Sequence, residues 1–209
     1  MKNMFGTNLS GLTLSNLGRY LICLALIMTS CRHGEYERVL DQAESLIVSV
    51  PDKAYGLLKE IDPSQLAEGS ELQARYALLY TRGQYKNSDD ATSDSLITLA
   101  TDYYEEHGGM EQKFYAYLYQ GIVRYQLGNF SDATVSLYRA LANAEHESSH
   151  YHKGLLYTYL ALVNGAQNCQ DEERYAKLAH HEYEVGGLEQ YAASALTIWA
   201  VAKMHTEDY

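Results

Sequence analysis

Phe114-Tyr-Ala-Tyr-Leu-Tyr-Gln-Gly-Ile-Val-Arg-Tyr-Gln-Leu-Gly-Asn-Phe-Ser-Asp-Ala-Thr-Val-Ser-Leu-Tyr-Arg-Ala-Leu141 is the stretch that decides the fold. Small residues fall at Gly121, Gly128, Ala133 and Ala140, with an aromatic at Phe130. Two antiparallel helices that approach closely need this arrangement. Gly121 and Ala133 let the backbones near each other, Gly128 with Asn129 makes the turn, and Phe130 fills the gap. Alanines recur in step at Ala100, Ala140 and Ala179, a self-similarity of about 39–40 residues. A helix pair of this kind cannot bury its apolar face alone, so it stacks on copies of itself.

Outward from this pair, the same reading divides the chain into helix hairpins. Glu35–Val50 and Asp52–Ile61 form one, separated by Pro51, a residue tolerated at a helix start and disruptive in a helix interior. Glu71–Lys86 and Asp90–Glu106 form the next, with Leu96, Ile97, Leu99, Ala100 and Tyr103 on one face. The central pair spans about 111–147. Tyr151–Gln167 and Asp171–Val185 form a fourth, with Asn168, Ala176 and Ala179 in register. Leu188–His205 reads as a lone helix. Leu188, Ala192, Ala195, Leu196, Trp199 and Met204 give it one apolar face, and Tyr191, Ile198 and Val201 extend that character around it. The expectation is an all-α array whose last helix leaves an apolar patch open to self-association or to a partner.

Composition agrees. Among 209 residues there are two prolines and twenty tyrosines. Tyrosine fills gaps between helices while keeping its hydroxyl at a surface, so most of the twenty read as packing residues. The formal charge of −11 repels phosphate backbones, and no nucleic-acid partner is expected.

Residues 1–30 read as a targeting segment rather than fold. Arg19 precedes the apolar run Tyr20-Leu-Ile-Cys-Leu-Ala-Leu-Ile-Met-Thr-Ser30. As a helix this run covers roughly 16 Å, about half a bilayer core, so it reads as a signal-peptide core and not a span. Met28-Thr-Ser-Cys31 resembles a bacterial lipobox, which implies acylation of Cys31. Cleavage before Cys31 removes Lys2 and Arg19 and leaves 14 of the 16 basic residues against 27 acidic ones, so the formal charge becomes −13. Cys169 then has no partner for a disulfide.

Motifs of catalysis are not found: there is no Gly-rich phosphate loop, nucleophile elbow or Cys-x-x-Cys. Glu145-His146-Glu147-Ser-Ser-His150-Tyr-His152 holds metal-ligating types, but a solvated inter-repeat loop explains it, and no metal or other cofactor is expected.

The central stretch resembles a tetratricopeptide repeat. Gly121, Gly128, Phe130, Ala133 and Ala140 fall where that family has Gly, Gly, an aromatic, Ala and Ala, and Tyr117 stands in for its Trp. Gln120 replaces the usual Leu, Arg124 sits where a Tyr is expected, and in the following repeat Leu160 takes the place of a Gly, which implies a wider crossing there. The resemblance covers about residues 35–205, with a period longer than the usual ~34. Ser49-Val-Pro-Asp-Lys-Ala-Tyr-Gly-Leu-Leu-Lys-Glu-Ile-Asp62, Ala74-Arg-Tyr-Ala-Leu-Leu79, Asp94-Ser-Leu-Ile97 and Asp102-Tyr-Tyr104 are similar to the helical-repeat lipoproteins of Bacteroides and its relatives.

The family resemblance implies a right-handed α-solenoid without catalytic activity, lipid-anchored at the cell envelope on the periplasmic side of the outer membrane. It also implies a concave groove that takes a protein or peptide. Carried over to this chain, the groove positions are Tyr115, Leu118, Ile122, Tyr125 and Gln126, then Arg75, Arg82, Tyr85 and Lys86 from the preceding pair, with Arg124 near the helix end. A basic and aromatic groove in an acidic protein suits an acidic peptide or a terminal carboxylate. Two alternatives stand beside the scaffold: the sensor half of a truncated envelope receptor, and a carbohydrate-binding uptake lipoprotein. The second usually presents exposed Trp platforms, and Trp199 is the single Trp here.

Overall fold

The computed structural model describes residues 34–207, and among these it contains nine α-helices and no strand. They are α1 (34–46), α2 (Pro51–Lys59), α3 (Glu71–Lys86), α4 (Ser95–His107), α5 (Met110–Gln126), α6 (Phe130–Ala142), α7 (His150–Ala166), α8 (Glu172–Val185) and α9 (Glu189–Glu207). Short 3-10 turns lie at Pro63–Gln65 and Ala144–His146. The targeting segment expected at 1–30 and the acylation expected at Cys31 lie outside the described residues.

The repeat is written most clearly where helices stop. The backbone turns left-handed at Ser88 (φ 53°), Gly128 (φ 77°) and Asn168 (φ 53°), at intervals of about 40 residues. Each stop uses the same pair of bonds. Ser88 N–H donates to Tyr85 O and Asp89 N–H to Gln84 O; Gly128 and Asn129 repeat this on Tyr125 and Arg124, and Asn168 and Cys169 on Gly165 and Asn164. These bonds satisfy carbonyls that the end of a helix would leave bare. So α3, α5 and α7 all end alike, and Gly187 (φ 67°) ends α8 in the same way.

Helix starts follow local chemistry. Ser70 Oγ accepts from Gln73 N–H at 3.2 Å, and Ser149 Oγ from His152 N–H at 3.3 Å. Pro51 opens α2 as its position predicts. The sequence places the second helix of its hairpin from Asp90, but α4 begins at Ser95. The intervening segment 87–94, Asn-Ser-Asp-Asp-Ala-Thr-Ser-Asp, is rich in side chains that compete for backbone groups and delay the helix.

Every helix from α2 onward packs on its sequence neighbours. In addition α3 touches α5, α5 touches α7, and α7 touches α9, so the odd-numbered helices form a row. The largest core runs through α3 to α8, and includes Phe114, Leu118, Ile122, Leu137, Leu156 and Leu160. A second core joins Leu40 and Ile47 to Leu58, Leu72 and Leu79. Ala179, Tyr183, Ala192 and Ala195 form the last.

The small residues sit where the helices come close. Gly121, Ala133 and Ala140 are buried, and a Cβ on Gly121 would lie 2.6 Å from Leu137 Cγ. In the next pair Leu160 is fully buried, and the close approach is moved to Gly154, which lies against the Tyr183 ring. That pair therefore keeps a tight contact where a wider crossing was expected.

On α9 the faces differ from the sequence expectation. Ala192, Ala195 and Ala202 are buried, and Ile198 and Trp199 pack against the main core. Tyr191, Leu196, Val201 and Met204 are exposed. Ile198 thus belongs to the packed face, and Leu196 and Met204 to the open one. No helix among the described residues is long and apolar enough to cross a membrane.

Candidate functional site

The row of odd helices brings a set of tyrosines and cations onto one face. From α3 come Arg82, Tyr85 and Lys86; from α5, Tyr115, Tyr119 and Tyr125; from α7, Tyr151, His152 and Tyr159; and from α9, Tyr191. Their rings meet edge to face: Tyr85 with Tyr119 and Tyr159, Tyr125 with Tyr159, Tyr151 with Tyr191, and Tyr115 with His152. Centroid separations of 4.8–6.3 Å are those at which ring quadrupoles attract.

Two cations are set into this ring lattice. The Arg82 guanidinium lies 4.8 Å from the Tyr115 ring centre and 5.9 Å from that of Tyr119. Lys86 Nζ lies 3.7 Å from the Tyr151 ring centre. Arg82 is only 8% exposed, and its charge lies beside the buried Tyr119 hydroxyl. The charges register on their neighbours. Burial, and then the Arg82 charge, pull the Lys86 ammonium down to about 8. Burial, then Arg82 and Lys86, pull His152 down to about 3, so its imidazole is neutral at pH 7. Its Nδ1 is 3.4 Å from the Tyr115 hydroxyl. Burial raises the Tyr85, Tyr115, Tyr119 and Tyr151 hydroxyls, which are therefore protonated and able to donate.

Hollows open on either side. One, of about 390 Å³, is lined by Glu44, Glu71, Arg75, Arg82, Tyr104, Glu111 and Tyr115 among others. Another, of about 310 Å³, is lined by Tyr85, Lys86, Ser88, Asp90, Gln126, Tyr151 and Tyr191.

Of the residues expected in a groove, Tyr115, Arg82, Lys86, Tyr85 and Gln126 reach these hollows. Tyr125 is half-buried against Tyr159 and Phe130. Leu118 and Ile122 do not reach them: both are fully buried in the main core. The reason is that α5 contacts α3, α4, α6 and α7, so most of its circumference is enclosed. Arg75 reaches the first hollow but is already paired, with Asp41 at 2.7 Å and Glu44 at 2.9 Å. Arg124 faces away, bonding Asp94 at 2.8 Å and Ser136 at 2.9 Å. There it joins Gln120, whose Nε2 donates to Thr101 and whose Oε1 accepts from Ser136, both at 2.9 Å. A polar network thus occupies the place where the repeat pattern has Leu and Tyr.

Sequence reasoning missed Tyr119, Tyr151, His152, Tyr159 and Tyr191. A signal was present: one interval of about 40 residues relates Tyr85 to Tyr125, Tyr119 to Tyr159 and Tyr151 to Tyr191. His150 and His152, expected in a loop, stand in the first turn of α7 and do not converge. His150 pairs with Glu182 at 2.8 Å while His152 lies among tyrosines, and no group of three or more metal-ligating side chains occurs among the described residues.

Comparison with known proteins finds no matching family model, no matching curated protein and no matching solved structure.

Proposed function

We propose that this chain is a non-catalytic interaction scaffold: a right-handed α-solenoid of helix hairpins, held at the bacterial cell envelope through an acylated Cys31, that takes a peptide or protein along the face of its odd helices. The observation that carries this reading is the face itself. Ring edges, protonated hydroxyls and two cations line a pair of open hollows there, which is surface chemistry for holding a chain. The row of α3, α5, α7 and α9 and the repeated helix stops support the solenoid. A photo-crosslinking residue tests it in the full chain in cells. Placed at the exposed Gln126 on the face, it should capture a discrete partner; placed at the exposed Val135 on α6, it should not. Identical adducts from both positions would refute the assignment of the face.

A second reading, the ligand-binding half of a longer envelope receptor, draws support from α9. Its outward stripe Ala193, Leu196, Thr197, Ala200, Val201 and Met204 is uncharged and exposed, as a helix is when another is meant to cover it.

A further inference from the structure

From Gln190 to Ala202, α9 carries no charged residue. The exposed positions of α8 include Arg174, Lys177 and Glu184, and those of α6 include Asp132 and Arg139. On α9 they are instead Ala193, Leu196, Thr197, Ala200, Val201 and Met204. The hydroxyls of this stretch are already satisfied within the helix: Ser194 Oγ donates to Gln190 O and Thr197 Oγ1 to Ala193 O, each at 3.1 Å. Covering the stripe therefore leaves no hydroxyl bare and costs little. Ala193, Thr197, Ala200 and Met204 follow one another by four, three and four residues, the spacing of a seam against which a second helix packs lengthwise. The ends of the stripe say which helix that is. Glu189 and Lys203 are both exposed, each seven residues from Leu196, so all three lie along one edge of the seam. Lys203 also acts on Glu173 of its own chain. An acid at one end and a base at the other, equally far from a central leucine, complement the same helix turned end over end.

We infer that α9 pairs antiparallel with α9 of a second copy of this chain, about a two-fold axis beside Leu196. In that arrangement Leu196 meets Leu196 of the second copy, Ala193 meets Thr197, and Gln190 meets Ala200. Glu189 of each copy reaches Lys203 of the other. Parallel pairing would instead set Glu189 against Glu189 and Lys203 against Lys203, which like charge disfavours. One surface serves both copies, so the contact closes as a dimer and does not propagate. Tyr191 lies off the seam, its ring against those of Tyr151 and Tyr183, so the pairing makes no use of the tyrosine face and does not rest on the peptide reading. A single helix face is a small contact beside the ~800 Å² per partner of a standard interface. The dimer is accordingly weak and forms as concentration rises.

Sedimentation of the full chain from about 1 μM to 1 mM tests this, with Cys23, Cys31 and Cys169 replaced by serine. A reversible monomer–dimer equilibrium is expected. Leu196→Glu should weaken it by about tenfold or more, because both copies carry the change at the axis. Glu189→Lys should weaken it as well, and adding Lys203→Glu should restore it. These positions are exposed, and a thermal melt checks that each variant is folded. Oxidation of single-cysteine chains reads the geometry. A mixture of Gln190→Cys and Ala200→Cys should give a disulfide-linked pair, while either variant alone should not, since about 15 Å of helix then separates the two sulfurs. A monomer throughout the range, or association that Leu196→Glu leaves unchanged, overturns the inference. So does growth into open polymers. Links within Gln190→Cys alone, as parallel helices would give, overturn the antiparallel axis. A loss in Glu189→Lys that Lys203→Glu fails to restore overturns the register.

Discussion

Gly121→Ala tests the packing of the central helix pair at its tightest point. The added Cβ would lie 2.6 Å from Leu137 Cγ, 2.7 Å from its Cδ2 and 3.3 Å from its backbone nitrogen. Leu137 is fully buried in the main core, so its side chain has little room to yield. Overpacking of this kind costs about 1–3 kcal/mol. Alanine regains up to about 1 kcal/mol of helix propensity, so the net loss should be about 1–2 kcal/mol. Gly56 supplies the control. It lies exposed within α2, a Cβ there would meet nothing within 4 Å, and Gly56→Ala should stabilise by about 0.5–1 kcal/mol. Urea unfolding at constant slope measures both. Adding Leu137→Ala to Gly121→Ala removes the clash, so the double variant should lose less than the two singles summed, by about 1 kcal/mol or more. If Gly121→Ala is as stable as Gly56→Ala, or the two changes are additive, the close approach at Gly121 does not exist.

The other predictions concern charge, the polar network and the anchor. His152 binds no proton in the folded chain above about pH 3, whereas the unfolded chain takes one below about 6.5; stability should therefore fall with acid by up to about 1.4 kcal/mol per pH unit between those values. His152→Gln should flatten that slope in urea titrations from about pH 6.5 to 5, above the carboxylate range, and an unchanged slope would disprove the assignment. Ser136→Ala removes the hydroxyl that donates to Gln120 and accepts from Arg124, and should cost about 1–3 kcal/mol in the same assay. Cys31→Ser should release the protein from membranes or leave it uncleaved; a wild type that is wholly soluble with an unmodified Cys31 by mass spectrometry would refute the anchor.

The helices were legible because their punctuation is local. Pro51, Gly128 and Asn168 marked boundaries that the structure keeps, and Gly121 and Ala133 marked a real close contact. What failed was facing. Leu118 and Ile122 lie on a helix surrounded by four others, and the spacing of residues along a helix does not reveal how many neighbours enclose it. Ser88 was equally hidden, because serine rarely takes a left-handed backbone and only its place in the repeat demands it. The candidate site was half legible. Arg82, Lys86 and Tyr115 came from the repeat pattern, but the ring lattice arises between helices far apart in sequence and had to be seen in three dimensions.

The identical helix stops at Ser88, Gly128 and Asn168 make the chain a set of cassettes. Each unit begins and ends in the same backbone state, so a cut at these points joins like to like. Duplicating 129–168 would add one odd helix with its cap intact and lengthen the tyrosine row by one step. A residue inserted within α5 would instead rotate everything beyond it by about 100° and scatter the rings. Insertions in 87–94, outside any helix, leave that row in phase. Growth and loss of whole units, rather than drift in helix length, is therefore the route by which such a chain can change its length and keep its row of tyrosines in phase.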